Sequence, residues 1–478
     1  MKGESRILLR IKGRHMQGIL QNIKTRIQLS VIPKMLFIII LVIFLLMPVS
    51  AIKDLMYQRS HTRTNAVNEV SRRWGGEQTI GGPVLTIPYL QYERDSRDSI
   101  VAQRRTAHFL PAELDIDGRI EPELRDRGIF EVLLYRANLN VRGAFKQPDF
   151  SRWHIPSDQI LWDEAYVSVN IPDTRGIKKE ITLQWNDSEI AFGPSPEDRA
   201  IFASEIGAQS PIDGGDSSDI SFAFNLQLNG HYSLCILPFG GETSVNLVST
   251  WPHPGFTGEF LPEEHEISDD GFAARWKVNY IERNYPQQWR ENNVDTEKFH
   301  ASSFGVNLVI PADTYHQSIR SVKYAVLFIL FSFVAFFLFE VMTGLRIHPV
   351  QYVLVGFAVC VFYLLLVSLS EHLEFSLAYL LASLGCVGLI GGYSLSVLTS
   401  GRRAGIIAIV MSGLYGMLYV LLQQDEYALL VGSIGMFLIL ALLMYLTRRI
   451  DWYNINKRAE ADPDPVQPVD LDVPGTLV

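Results

Sequence analysis

Six long apolar runs constrain this chain more than any other feature. They are "MLFIIILVIFLLMPVSAI" (35–52) and residues 324–342, 352–370, 376–398, 405–422 and 428–447. An apolar run of 18 or more residues is long enough to cross a hydrocarbon core of about 30 Å as a helix. A helix also pairs its own N–H and C=O groups where no water can. A buried core helix is the alternative for any single run. Five runs in succession, joined by connectors too short and polar to be anything but turns, favour six transmembrane helices. The chain is 48% hydrophobic, but that average hides a polar stretch, 54–320, set between the first run and the other five.

Orientation follows from Lys and Arg in the short flanks. Residues 1–34 hold eight Lys or Arg against one acid, Glu4. Arg346 follows the second run, Arg402 and Arg403 the fourth, and Arg448, Arg449, Lys457 and Arg458 the sixth; the loops "EHLEF" (371–375) and "QQDEY" (423–427) have none. Both termini are therefore expected in the cytoplasm and 54–320 on the far side. "VSA" (49–51) resembles a small-residue cleavage site, yet the apolar run is long for a signal peptide and the basic region before it exceeds 30 residues, so an uncleaved anchor is expected. In the arm, Leu9, Met16, Ile19, Leu20, Ile23 and Ile27 recur at helical spacing among basic residues. This fits a helix on an anionic leaflet or a solvated tail that only sets topology. The C-terminal "ADPDPVQPVDLDVPG" has the composition of a disordered tail.

The exported stretch reads as mostly β. Segments such as "GPVLTIPYLQY" (82–92), "IFEVLLYRANLNVRGAF" (129–145), "SFAFNLQLNGHYSLCILPF" (221–239) and "FAARWKVNYI" (272–281) alternate or run apolar with β-branched and aromatic residues. "LNGHY" carries the Asn-Gly signal of a two-residue hairpin. Residues 193–219 read as a loop with one short helix. The expected fold class is an α+β membrane protein: six transmembrane helices with a large periplasmic, sandwich-like all-β domain inserted after the first. Its boundaries are a basic arm (1–34), the first helix (35–53), the β domain (54–320), a five-helix bundle (321–447) and a cytoplasmic tail (448–478). Cys235 is the lone cysteine of the β domain, so that domain has no internal disulfide.

Sites of chemistry are sparse. The phosphate-cradling glycine loops, H-E-x-x-H and the G-x-S-x-G elbow are all missing, and no Cys/His set has zinc spacing. Asp213, Asp216 and Asp219 in "DGGDSSD" suit calcium but lack the rest of its loop pattern; an acidic turn is the plainer reading. Glu340 is the one carboxylate inside an apolar run, a position that marks functional residues, although it lies near the end of its span. The glycines of the fourth run (Gly385, Gly388, Gly391, Gly392) suggest tight helix packing. Six tryptophans lie between 153 and 289, where they suit a sugar surface or a β core equally. The stretch carries 39 acids against 25 Lys or Arg, a poor general binder of anionic polymers. In "WPHPGF", Pro252 fixes the backbone before His253 and Pro254 pushes it to an extended conformation. That rigidity suits a site, but no acid or thiol is placed locally to complete one, so a structural turn is expected.

Several of these blocks resemble the inner-membrane protein CreD family of cell-envelope integrity proteins. The resemblance rests on "NLVSTWPHPGFTGEFLP" followed by "SDDGFAARW", with "GGPVLTIPY" (81–89), "PADTYHQSIRSVKYAVLFILFSFVAFFLFE" (311–340), "RIHPVQYVLVG" (346–356), "FYLLLVSLSEHLEF" (362–375) and "LTRRIDWY" (446–453) in the same order. It covers about residues 35 to 455. It implies the inner membrane of Gram-negative bacteria, expression under a two-component system, and a part in envelope integrity, colicin tolerance and responses to β-lactams. It brings no catalytic residues. The expectation is a non-enzymatic scaffold or sensor without a cofactor. Its partners are the lipid bilayer and, in an alternative reading as a glycan- or lipid-binding module or carrier, envelope glycan or other envelope proteins; no nucleic acid is expected. The candidate functional residues are Trp251, His253, Glu340, Glu371 and His372.

Overall fold

The computed structural model describes residues 31–94, 100–195, 201–214, 218–291, 294–310, 314–343, 347–398, 400–424, 427–448 and 450. The arm before residue 31, Asp216 and the tail after 450 lie outside them. The helices are α1 (Val31–Trp74), α2 (Thr296–Ala301), α3 (Thr314–Lys323), α4 (Ala325–Thr343), α5 (Pro349–Ser370), α6 (Phe375–Leu398), α7 (Gly401–Gln423) and α8 (Ala428–Thr447). The chain divides into two compact units, residues 1–60 with 312–478 and residues 61–311.

Six helices in the described residues are long and apolar enough to cross a membrane: α1 and α4 to α8. In the first unit, α1 buries Ile38, Leu41, Leu45, Val49, Ile52 and Met56, spaced three or four apart, and exposes Leu36, Ile39, Ile40, Ile43 and Met47. One face thus packs on the bundle and the other suits lipid. Gly356 of α5 makes room for that face, because a Cβ there would lie 2.3 Å from Leu45 Cδ1. Aromatic rings fill the centre of the bundle, with Tyr415 tilted against Phe328 (4.5 Å) and edge-on to Phe362 (4.7 Å). A hydrogen-bond chain ties α5, α6 and α7 together. Tyr379 donates to the Tyr415 carbonyl (2.6 Å), Tyr415 donates to Cys386 Sγ (3.0 Å), and Cys386 donates to the Ala358 carbonyl (3.3 Å).

Two expectations about the helices need correction. The glycines of the fourth run do not mediate close packing. Gly385, Gly388 and Gly392 face open space and Gly391 meets only Ala408 Cβ, at 3.6 Å. Nor does the first helix end with its apolar run near residue 53. It continues to Trp74, because residues 54–74 contain neither Gly nor Pro and leaving an apolar environment does not stop a helix. It ends at Gly75, which adopts φ 147° and donates its N–H to the Ser71 carbonyl.

The second unit is a two-sheet sandwich. One sheet runs β13 (Pro254–Gly258), β17 (Phe304–Leu308), β11 (Ser233–Ile236), β1 (Gln78–Arg94), β5 (Tyr166–Asn170), β9 (Glu205–Gln209), β8 (Gly193–Pro194), with β2 (Ile100–Phe109) paired to β1 and β16 (Gln288–Arg290) to β2. The other runs β14 (Glu264–Ser268), β15 (Gly271–Asn279), β12 (Glu242–Ser249), β3 (Glu113–Arg127), β4 (Phe130–Phe145), β10 (Ile220–His231), β6 (Thr182–Trp185), β7 (Ser188–Ala191). Most pairs are antiparallel, while β1 with β11 and β3 with β12 are parallel. Residues of both sheets form one continuous core that includes Leu85, Tyr135, Val167, Trp276 and Phe304.

"LNGHY" is not a hairpin. Asn229 and Gly230 lie inside β10, paired with Arg136 and Tyr135 of β4, and the chain then turns at Tyr232 (φ 61°) to enter the other sheet as β11. The glycine serves close approach, since a Cβ on Gly230 would lie 2.2 Å from the Tyr135 ring. Residues 193–219 contribute β8 and β9 where a loop with a short helix was expected. β9 is too short to show alternation in the sequence.

Candidate functional site

The two membrane-unit carboxylates among the candidates both bind α1. Glu340 lies in the last turn of α4 and is 7% exposed. Its Oε1 pairs with Lys34 Nζ and accepts from the Ile347 N–H (3.2 Å), and its Oε2 accepts from Tyr352 OH (2.8 Å). Local sequence builds this arrangement. Ile347 leads into α5, which opens with His348 as N-cap and Pro349 in its first turn, so Tyr352 stands one turn inside. The ammonium, the backbone N–H and the phenol between them occupy both carboxylate oxygens.

Glu371, the C-cap residue of α5, pairs with Arg59 of α1 at 3.3 Å. His372 beside it is exposed, and its N–H donates to the Leu369 carbonyl (3.1 Å). Lys34 and Arg59 are about 37 Å apart at the rise of an α-helix, slightly more than a hydrocarbon core of about 30 Å. The two ion pairs therefore clip α1 to opposite ends of the bundle.

Trp251 and His253 belong to the crossover from β12 to β13. Trp251 packs half-buried against the core and donates Nε1–H to the Val309 carbonyl (2.9 Å). The His253 carbonyl accepts from the Val309 N–H (3.1 Å), its imidazole is exposed, and its ring stands edge-on to Trp251 at 6.2 Å. Of the acids that follow, Glu264 pairs with Arg275 (3.5 Å). The stretch is a backbone-stapled turn; within the membrane unit, Glu340 and the adjacent Glu371 and His372 stand at opposite ends of the bundle.

Sequence reasoning missed the buried polar groups of the sandwich. His108 on β2 is 2% exposed. Thr86 Oγ1 lies 2.9 Å from its Nδ1, Thr106 Oγ1 lies 3.2 Å from its Nε2, and Trp289 stacks at 5.2 Å. Burial pushes its pKa down to about 4, so it is neutral, with both nitrogens occupied. Glu205 of β9 accepts at Oε1 from the N–H groups of Ile201 (3.0 Å) and Phe202 (2.7 Å), and burial pushes its carboxyl up to about 7. A histidine in an apolar strand ("TAHFL") was a legible signal for the first; Glu205 lay in a segment read as loop.

Of the tryptophans, Trp185, Trp276 and Trp289 are core residues, whereas Trp153 and Trp162 are half-buried around Phe150. A pocket of about 560 Å³ opens beside Trp162, bordered by Asp163, Glu164, Asp213 and Gly214. Among the described residues no three His, Cys, Asp or Glu side chains are grouped to hold a metal ion.

Compared with known proteins, the chain matches the family described as inner membrane protein CreD over residues 30–453. It is similar to the inner membrane protein CreD of Escherichia coli (strain K12), with 32% identity over 417 residues that cover 86% of this chain and 91% of that protein.

Proposed function

The chain belongs to the inner membrane protein CreD family, and from that premise we propose that this multi-pass inner-membrane protein supports cell-envelope integrity as a non-enzymatic scaffold or sensor, its expression governed by a two-component system. The observation that carries the reading is that both carboxylates of the membrane unit singled out as candidates, Glu340 and Glu371, hold α1 to the bundle. They supply neither a proton relay nor a catalytic pair. The termini are cytoplasmic in this reading and residues 54–320 periplasmic. The Lys34–Glu340 pair supports that orientation, because it sets the basic residue at the start of α1 at the end of the bundle where α4 finishes. A glycan-binding module is the second reading, favoured by the acid-rimmed pocket beside Trp162. Tryptophan fluorescence that stays flat across a panel of muropeptides would count against it.

Complementation of a gene deletion tests the scaffold. His253→Ala at matched membrane abundance should protect cells under detergent and β-lactam stress as well as the natural chain, with a stability change within about 0.5 kcal/mol. An abundant variant that fails to protect, or turnover of an envelope polymer by the purified protein, would sink the reading. Orientation has its own test. The three native cysteines are buried, and Asp269 is exposed at the β14–β15 turn, so Asp269→Cys should react with a membrane-impermeant maleimide in spheroplasts. Labelling only after lysis would place the domain on the other side.

A further inference from the structure

We infer that the sandwich contains a buried site for a small anion, built around the Arg283 guanidinium at the Gly240–Gly241 turn. Arg283 follows the 3-10 turn Tyr280–Glu282 and is 5% exposed. Its Nη2 donates to the carbonyl oxygens of Phe239 (3.3 Å) and Gly240 (3.1 Å), and the guanidinium lies 4.4 Å from the centre of the Tyr285 ring. Nε and Nη1 have no hydrogen-bond partner. A guanidinium has five N–H donors and does not lose its proton in proteins, so three N–H donors stay buried without a hydrogen-bond partner. Glu282, next in sequence, accepts from the Asn279 N–H (2.8 Å). The group that faces the guanidinium is the Tyr285 ring, not a carboxylate. A ring face attracts a cation but does not neutralise it.

Two neighbours share the deficit. Gln287 donates through Nε2 to the Pro111 carbonyl (3.0 Å), while its Oε1 is buried without a partner. Thr243 is fully buried and its Oγ1 is also unpartnered. Both border the same turn. A Cβ on Gly241 would lie 3.1 Å from Gln287 Nε2, and one on Gly240 would lie 2.8 Å from Thr243 Oγ1. Native proteins leave few buried polar groups unpaired, and an uncompensated buried charge is among the least favourable of them. Here one turn gathers a cation with free donors, a hydroxyl and an amide oxygen. An anion that accepts from Nε, Nη1 and the Thr243 hydroxyl removes the charge imbalance. Gln287 Oε1 then takes an O–H from a protonated oxyanion or from a water of its hydration shell.

The test uses the full chain in detergent, with thermal unfolding followed as sodium bromide or phosphate replaces sodium gluconate at constant ionic strength. A ligand that binds only the folded state raises the unfolding midpoint with its concentration. The midpoint of the natural chain should climb with bromide or phosphate. Arg283→Met should not respond, and Thr243→Val should need roughly tenfold more anion for the same rise. If Arg283→Met does not fold, Thr243→Val and the anomalous signal of bromide in crystals carry the test. A midpoint indifferent to bromide and phosphate, or bromide bound elsewhere in the sandwich but not at Arg283, would mean that trapped water alone fills the turn and would overturn the proposal.

Discussion

Glu340→Ala should lower the stability of the membrane unit by about 3 kcal/mol, the lower end of what breaking a buried ion pair costs. The lower end applies because Lys34 retains 27% side-chain exposure against 9% for Glu340. The loss has three parts: an ammonium without its counter-charge, a Tyr352 hydroxyl without its acceptor, and an Ile347 N–H without its own. Glu340→Gln keeps an acceptor for Tyr352 and Ile347 and should lose about half as much. A double-mutant cycle with Lys34→Met isolates the charge pair. Unfolding in mixed micelles is the measurement, and an alanine variant within about 0.5 kcal/mol of the natural chain would show that the contact contributes nothing.

Between pH 4.5 and 6.5 the sandwich should hold two large and opposite pH dependences. His108 titrates near 4 when folded, against an ordinary 6.5. As pH falls below 6.5 the unfolded chain takes a proton that the folded chain refuses, and stability is lost. Glu205 titrates near 7 when folded, against an ordinary 4.5. As pH falls below 7 the folded chain takes the proton first, and stability is gained. Each contribution amounts to about 3 kcal/mol over its window. Relative to the natural chain, His108→Gln should gain about 2 kcal/mol on acidification across this range and Glu205→Gln should lose as much. His231 is also lowered by burial, but it is common to all three proteins. Asp173 and Glu123, held below their ordinary values by Arg175 and Arg125, withdraw their stabilisation on still stronger acidification. Parallel stability curves for the three proteins would refute this account.

The spans were legible because lipid demands uniform apolarity, and five such runs in close succession are more than a soluble core would hold. The strands were legible wherever one face meets the core and the other meets water. What escaped depends on distance along the chain. Glu340 stood out as a lone carboxylate in an apolar run, but Lys34 is 306 residues away. Gly230 reads identically whether it serves a turn or yields space to Tyr135. Residues 54–74 look like any polar stretch, since nothing local records that the helix has yet to end. The unpartnered groups at Arg283, Thr243 and Gln287 meet only because the segment 283–287 folds onto the turn at 240–243, about 40 residues earlier.

The paired clips on α1 have a consequence for the lipids around it. Charges fixed about 37 Å apart on one helix exceed an average hydrocarbon thickness of about 30 Å but not the roughly 40–45 Å that includes the headgroups, so an upright helix places both in the headgroup regions. The chain thus carries its own measure of membrane thickness. Lipids with shorter acyl chains would tilt the helix, and lipids with longer ones would thin around it, before either disturbed the fold.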